Sequence, residues 1–283
     1  MERSRGIGTG LGATDLEKGG RMLPGDHSVG IQLSQFHGGG RPPRHCSDCP
    51  IRRLALFQPF GEEALARLNR LREGSRVVPA GAPITSPGMA DGYLYTLFRG
   101  WAFSYRLHAD GRRQILDFHL AGDLLGTLTL GAPSTDVGYE ALTPVLLCAF
   151  RRDMMEAAAR EHPNLGHALS WMAAREEATL AEHLVSIGRR SAEERVAHLL
   201  MELWTRARWR GGDESDACDF PPTQRHLADA LGLTPERVNR AMAALRAGGL
   251  IETGGRRLRV MNPRRLAEIG EWTDTYLAPR PLL

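Results

Sequence analysis

Residues 223–249, TQRHLADALGLTPERVNRAMAALRAGG, carry the punctuation of two short helices joined by a tight turn. Thr223 is a capping residue, and the helix it starts runs to about Leu231. Gly232 supplies the turn. Thr234 caps a second helix, with Pro235 at the first position, where a missing N–H costs nothing. Val238, Met242 and Leu245 share one helical face and point inward; Glu236, Asn239 and Arg240 share another, at i, i+3 and i+4. Gly248 and Gly249 stop the helix. This is a helix-turn-helix pattern, in which the second helix lies in a DNA major groove.

The next stretch, LIETGGRRLRVMN, reads as a hairpin around Gly254-Gly255, a wing that places Arg256, Arg257 and Arg259 near phosphates. Arginine bonds guanine O6 and N7 in bidentate fashion, and a carboxylate accepts from cytosine N4. Base reading is therefore assigned to Glu236, Asn239 and Arg240, and phosphate positioning to Arg237, Arg246, Arg256 and Arg257. On the helix alone, Glu236 and Arg240 could equally form a solvated i,i+4 ion pair. The turn before it and the wing after it favour the reader. Charge placement agrees. From Arg237 to Arg265, eight arginines (Arg237, Arg240, Arg246, Arg256, Arg257, Arg259, Arg264, Arg265) stand against one acid, Glu252, within a chain of net charge +3.

Upstream, SAEERVAHLLMELWTRAR is an amphipathic helix opened by a Ser191/Glu194 capping box. Before it, Asn164 to Ile187 is a long helical stretch. Leu169, Met172, Leu180, Leu184 and Ile187 are expected to form its dimer seam, although a single core-facing helix has the same periodicity. Glu176 and His183 flank that seam. Between Val77 and Phe150 the runs YLYTLF, WAFSYRL, RRQILDFHL and PVLLCAF alternate with turn signals, the texture of a β-barrel or jelly roll. The expected division is a disordered leader over 1–45, with Met22 an alternative start, a jelly-roll sensor over 46–158 and a dimerisation helix over 159–187. A winged helix-turn-helix over 188–270 and a tail over 271–283 complete it.

Composition narrows the classes. The chain has 283 residues, 42 % hydrophobic and 24 % charged, enough for a packed core. No apolar run reaches the ~18 residues of a membrane helix, and the N-terminus lacks the apolar core of a signal peptide. Four cysteines in such a chain argue against a disulfide scaffold. His108 and His119 lack the spacing of a cupin metal site, and no hydrolase triad or phosphate loop is present, so an enzyme is not expected.

These residues resemble the Crp/Fnr family of bacterial transcription regulators, from Cys46 to about Arg265. The resemblance rests on the strand pattern, FHLAGDLLG, the long helix, RRSAEERVAHLL and LGLTPERVNRAMAALRAGGLIE, in that order. It implies an α+β fold with an N-terminal β jelly-roll sensor domain, a long dimerisation helix and a C-terminal winged helix-turn-helix domain. It also implies a cytoplasmic homodimer, with no membrane association, that binds a palindromic site in double-stranded promoter DNA and recruits RNA polymerase, as an activator. Glu236 and Arg240 match the family's base-reading Glu and Arg, which implies a TGA core in the half-site. Asn239 departs from the Ser of Fnr-type and the Gly of cyclic-AMP-type readers.

In cyclic-AMP-binding members a Gly-Glu-Leu stretch and an Arg-Ser-Ala stretch hold the nucleotide. Here Asp123 stands at the Glu position, and Thr135 and Asp136 at the Arg-Ser pair. An acid facing a phosphate repels it, so a cyclic nucleotide is not expected. Cys46 and Cys49 in HCSDC, with Cys148 in PVLLCAF, match the Fnr branch and imply an iron–sulfur cluster and a response to oxygen, nitric oxide or redox state. One expected cysteine is missing, Ala55 and Phe57 standing where it would fall. A fourth ligand would then be His45 or Asp48, with His37 also nearby. Zinc, a thiol redox pair, and a regulator with no cofactor or with a small ligand remain the alternatives.

Overall fold

Between Arg72 and Arg151 the apolar residues alternate with a period of two, and two faces are therefore available for burial. On β4 (Tyr93–Arg99), Tyr95 and Leu97 point one way and Leu94 and Phe98 the other. On β9 (Val145–Arg151), Val145 and Leu147 oppose Leu146, Cys148 and Phe150. The computed structural model describes residues 42–53, 57–58, 61–89, 91–130, 135–210, 217–277 and 280–281. The expected leader lies almost wholly outside them.

After β1 (Phe57–Gln58) and α1 (Glu62–Leu71), the barrel strands are β2 (Arg72–Val78), β3 (Pro83–Thr85), β4, β5 (Ala102–Leu107), β6 (Arg113–His119), β7 (Leu124–Leu125), β8 (Gly138–Ala141) and β9. They form two antiparallel four-stranded sheets, ordered β2-β9-β4-β7 and β3-β8-β5-β6. One apolar cluster, with Ile84, Leu97, Leu125, Tyr139 and Leu147, takes residues from both sheets. The opposite face of β4 and β9 is covered by α1, α2 (Arg152–Glu161) and the first half of α3 (Pro163–Arg189). This explains why these strands are apolar on both faces.

α3 opens with Pro163 at its first turn and runs 27 residues. α4 (Ala192–Arg208) begins at the expected capping box, Ser191 and Glu194 each accepting the other's backbone N–H. Then follow β10 (Ala217–Asp219), α5 (Gln224–Leu231), α6 (Pro235–Ala247), β11 (Ile251–Gly254), β12 (Arg257–Val260), α7 (Pro263–Gly270) and β13 (Arg280–Pro281), which pairs with β1. α4 is buried on nearly all sides from Val196 to Ala207, so it is the core around which α5, α6 and α7 pack. The α+β order matches the sequence expectation. β10, α2 and α7 were not anticipated; β10 turns the wing into a three-stranded sheet, β10-β12-β11.

The seam residues separate. Leu169 and Met172 are buried against the barrel of their own chain, in the cluster that holds Phe98 and Cys148. The strongest apolar periodicity on α3 marks the face that meets the sheet. Leu180 and Ile187 are half-buried and Leu184 is 71 % exposed. The solvent face of α3 instead carries Ala173, Ala174, Ala181, Leu184, Val185 and Gly188. Glu176 and His183 also turn inward: Glu176 accepts from Thr127 of the barrel, and His183 reaches the carbonyl of Leu116.

Candidate nucleic-acid interface

Local hydrogen bonds set α5 and α6 as the sequence requires. Thr223 Oγ1 accepts from the His226 backbone N–H, and the His226 ring accepts from the Thr223 N–H. Gly232 takes the left-handed conformation, at φ 62°, that ends α5 without steric cost. Thr234 Oγ1 accepts from the Arg237 N–H. Val238, Ala241, Met242 and Leu245 are buried, which turns Glu236, Arg237, Asn239, Arg240 and Arg246 to solvent. The free backbone N–H groups at the start of α6, Thr234 and Arg240 together hold the Glu236 carboxyl below its usual range. Asn239 is not free: its Oδ1 accepts from Gln224 Nε2 at 3.1 Å.

The wing is a two-residue turn between β11 and β12, with Gly255 at φ 57° and Arg256 at φ 61°. Two positive φ values define the turn that suits a twisted hairpin. Glycine or asparagine would sit there without strain, so arginine at Arg256 costs about 1 kcal/mol of backbone energy. Arg246 reaches Thr253 Oγ1 at 3.1 Å and ties α6 to the wing. Arg257 lies 3.9 Å from Asp219, and Arg259 pairs with Glu252 at 3.3 Å. Arg237, Arg240, Arg246 and Arg256 are all exposed, on α6 and on the wing that Arg246 ties to it.

A second constellation escaped the sequence reading. Arg206 of α4, 2 % exposed, pairs with Asp117 at 2.8 Å, Glu202 at 2.8 Å and Asp123 at 3.0 Å, and donates to the Phe118 carbonyl. Arg210 takes the other Asp123 oxygen at 2.6 Å. Glu202 also accepts from Tyr276 and His183, each at 2.9 Å. Both nitrogens of His183 face acceptors, the Leu116 carbonyl and the Glu202 carboxylate, so the ring must carry both protons. Burial works against that charge, but Glu202 outweighs it, and the His183 pKa is raised to about 9. Burial alone would push the Glu202 carboxyl up, yet His183 and Arg206 hold it far below the carboxylate range. Three carboxylates thus meet three cations, and neutrality needs His183 protonated. Around this cluster, Arg113 of β6 pairs with Asp229 of α5 at 3.2 Å, and the Phe103 ring packs on His226. Barrel and reader domain are joined through charge and aromatic contacts.

The acids expected at a nucleotide site are occupied differently. Asp123 is spent on Arg206 and Arg210, while Asp136 is exposed and pairs with Arg106 at 2.8 Å. A barrel cleft lined by Thr85, Asp91, Tyr95, Tyr139 and Arg152 holds about 10 Å³, room for one water.

Cys46, Cys49 and Cys148 do come to one side of the barrel. Cys46 receives an anchor through its backbone N–H to Asn69 Oδ1 at 3.1 Å, and Arg52 Nε donates to the Cys46 carbonyl at 3.0 Å. Cys49 packs on the apolar cluster that contains Cys148. Burial raises the Cys49 thiol and lifts Cys148 to about 11; Cys148 feels both other sulfurs, and Cys49 feels Cys46. Among the described residues, Asp117, His183 and Glu202 are the one His/Cys/Asp/Glu trio with donors within 4.8 Å of one another. Cys218 is buried on β10, and burial takes its pKa to about 12.

Residues 194–269 match the model of the Crp-like helix-turn-helix domain, and residues 75–162 that of the cyclic nucleotide-binding domain. The transcriptional activator protein FnrL of Cereibacter sphaeroides is 31 % identical over 234 residues, covering 81 % of this chain and 93 % of FnrL. The chain belongs to the Crp/Fnr family. It is a DNA-binding transcription regulator. The nitrogen fixation regulation protein FixK of Bradyrhizobium diazoefficiens is 32 % identical over 222 residues, 78 % of this chain and 92 % of FixK. The structure of FixK2 from Bradyrhizobium japonicum superposes with a TM-score of 0.64 at 31 % identity, over 69 % of this chain and 96 % of FixK2. No helix among the described residues is long and apolar enough to cross a membrane.

Proposed function

We propose that this Crp/Fnr regulator acts as a cytoplasmic homodimer on a palindromic promoter site, by binding and not by catalysis, and recruits RNA polymerase as an activator. Glu236, Asn239 and Arg240 read bases, while Arg237, Arg246, Arg256 and Arg257 hold phosphates. The observation that carries the reading is the exposed α6 face beside a wing whose Arg256 is kept in a left-handed conformation. Arginine there has a backbone cost, and its side chain is exposed, where a phosphate supplies an offsetting contact. Leu184, Val185 and the small residues around them on α3 form the seam, since they leave apolar surface on an otherwise packed helix.

The signal enters at the cysteines. Burial keeps Cys49 and Cys148 as thiols at neutral pH, which makes them poor redox nucleophiles; a metal's charge displaces such protons. Cys46, Cys49 and Cys148 would hold an iron–sulfur cluster, with His45 or Asp48 nearest in sequence for the fourth position, and Arg52 would balance thiolate charge. Bound there, it would supply sensitivity to oxygen or nitric oxide. The test is iron, sulfide and zinc per subunit on protein purified without oxygen, with duplex binding measured before and after air. Iron and sulfide that disappear with air, together with DNA affinity, support the reading. Zinc alone, or no metal with unchanged DNA binding, overturns the sensor half of it.

A further inference from the structure

Asn239 is the reader residue at which this chain departs from its relatives' pattern, and a neighbour already engages it. Gln224, the first residue of α5, donates Nε2–H to Asn239 Oδ1. We propose that Gln224 is a positioning residue that orients the Asn239 amide, so that Asn239 leads with its N–H donors toward DNA. The inference rests on α6 being the reader.

An asparagine amide has one acceptor oxygen and two N–H donors. Its bidentate pairing with adenine needs both kinds, an oxygen for N6–H and an N–H for N7. With Oδ1 directed at Gln224, that bidentate geometry is lost and the Nδ2–H donors lead the contact, although the oxygen keeps a second lone pair. The donors suit guanine, which shows two acceptors in the major groove, and the O4 of thymine. Cytosine sets an amino group against them, and adenine offers only its N7 beside an amino group. The capping pair of Thr223 and His226 fixes the backbone from which Gln224 reaches. Gly232 and the Thr234 cap fix α6 relative to it. The hydrogen bond therefore spans two anchored ends.

The experiment uses the full-length protein and the tightest duplex selected from a random library. Each half-site position is changed to all four bases, and binding is read by fluorescence anisotropy at one fixed salt concentration. At one position the wild type should disfavour adenine and cytosine by about tenfold, and Asn239→Ala should abolish that preference. Gln224→Ala should admit adenine at the same position while leaving the others alone. Gln224→Glu, which accepts where Gln224 donates, should turn the Asn239 amide over and move the preference to adenine or cytosine. A Gln224→Ala protein that loses affinity equally on every duplex makes Gln224 a phosphate contact and overturns the proposal, as does a wild-type preference for adenine at the Asn239 position. A different failure marks the underlying reading: no duplex is enriched, or neither Asn239→Ala nor Arg240→Ala alters any base preference.

Discussion

Replacing Arg206 by methionine keeps the length of the side chain and removes its charge. Asp117, Glu202 and Asp123 lie 2.8, 2.8 and 3.0 Å from the guanidinium and are all buried. Arg210 still serves Asp123, and His183 still serves Glu202. Asp117 keeps the Phe118 backbone N–H and the weaker help of His119, 4.0 Å away, and of nearby His183. Removing one side of a buried ionic contact leaves the other desolvated, at about 3–5 kcal/mol. For a chain of this size that lowers Tm by about 10 °C. Urea and thermal unfolding at pH 7 would measure it, at one protein concentration because oligomerisation shifts apparent stability. A second substitution refines the test. Asp117→Asn removes the acid that loses most, so the double variant should recover at least about 1 kcal/mol relative to additivity. A loss below about 1 kcal/mol for Arg206→Met, or strict additivity with Asp117→Asn, refutes the account of Arg206 as the charge that holds α4 to the barrel.

Protonation of His183 should show as a pH dependence. Its folded pKa of about 9 exceeds the ~6.5 of an unfolded chain. Its contribution is therefore full below about pH 6.5 and is lost as pH rises through 9, up to about 3 kcal/mol, counted once with the matching depression of Glu202. Urea unfolding between pH 6 and 9.5 should fall for the wild type and stay flatter for His183→Gln; parallel profiles reject the charged ring. Leu184→Arg should break the proposed seam, since burying one leucine contributes about 1.5–3 kcal/mol per subunit; sedimentation would then show monomers, and an unchanged dimer places the seam elsewhere. Arg240→Ala should weaken the selected duplex by about 1–3 kcal/mol and relax one base pair; equal loss on random DNA makes Arg240 a phosphate contact instead.

What could be seen from the sequence follows the range of the interactions. The helix-turn-helix was legible because its signals are local: Thr223, Gly232, Thr234 and Pro235 each act within a few residues of their place in the chain. The barrel was legible as alternation, although β3 and β8 are too short to give a period. The two sides of α3 were not separable in the sequence, because periodicity reports an apolar face without naming its partner. Leu169 and Met172 face the sheet of their own chain, while the exposed stripe of α3 is mostly alanine and glycine, which carry almost no hydropathy signal. The Arg206 cluster was invisible for a different reason. Its members lie 89 residues apart for Asp117 and 83 for Asp123, and a charged residue on an amphipathic helix reads as solvated until its partners are in place.

Asp123 joins these strands of reasoning. In cyclic-AMP-binding relatives the corresponding acid belongs to the ligand site; here Arg206 and Arg210, from the helix at the centre of the reader domain, take both its oxygens. The barrel turn GDLLG is therefore a socket for α4, and the Leu120 N–H completes it at 2.7 Å. A ligand that needed Asp123 would have to displace two buried guanidinium groups, which would leave them without a counter-charge. A signal reaching the reader domain through this barrel has an alternative with no such cost. Cys148 and Leu94 share an apolar cluster with Leu165, Leu169 and Met172 of α3, Cys49 packs against it, and α3 carries His183 into the Arg206 cluster. A change in the volume or charge at Cys148 would reach α3 through that packing. It would be felt first at the hydrogen bond from His183 to Glu202, the one cation of the cluster that α3 supplies.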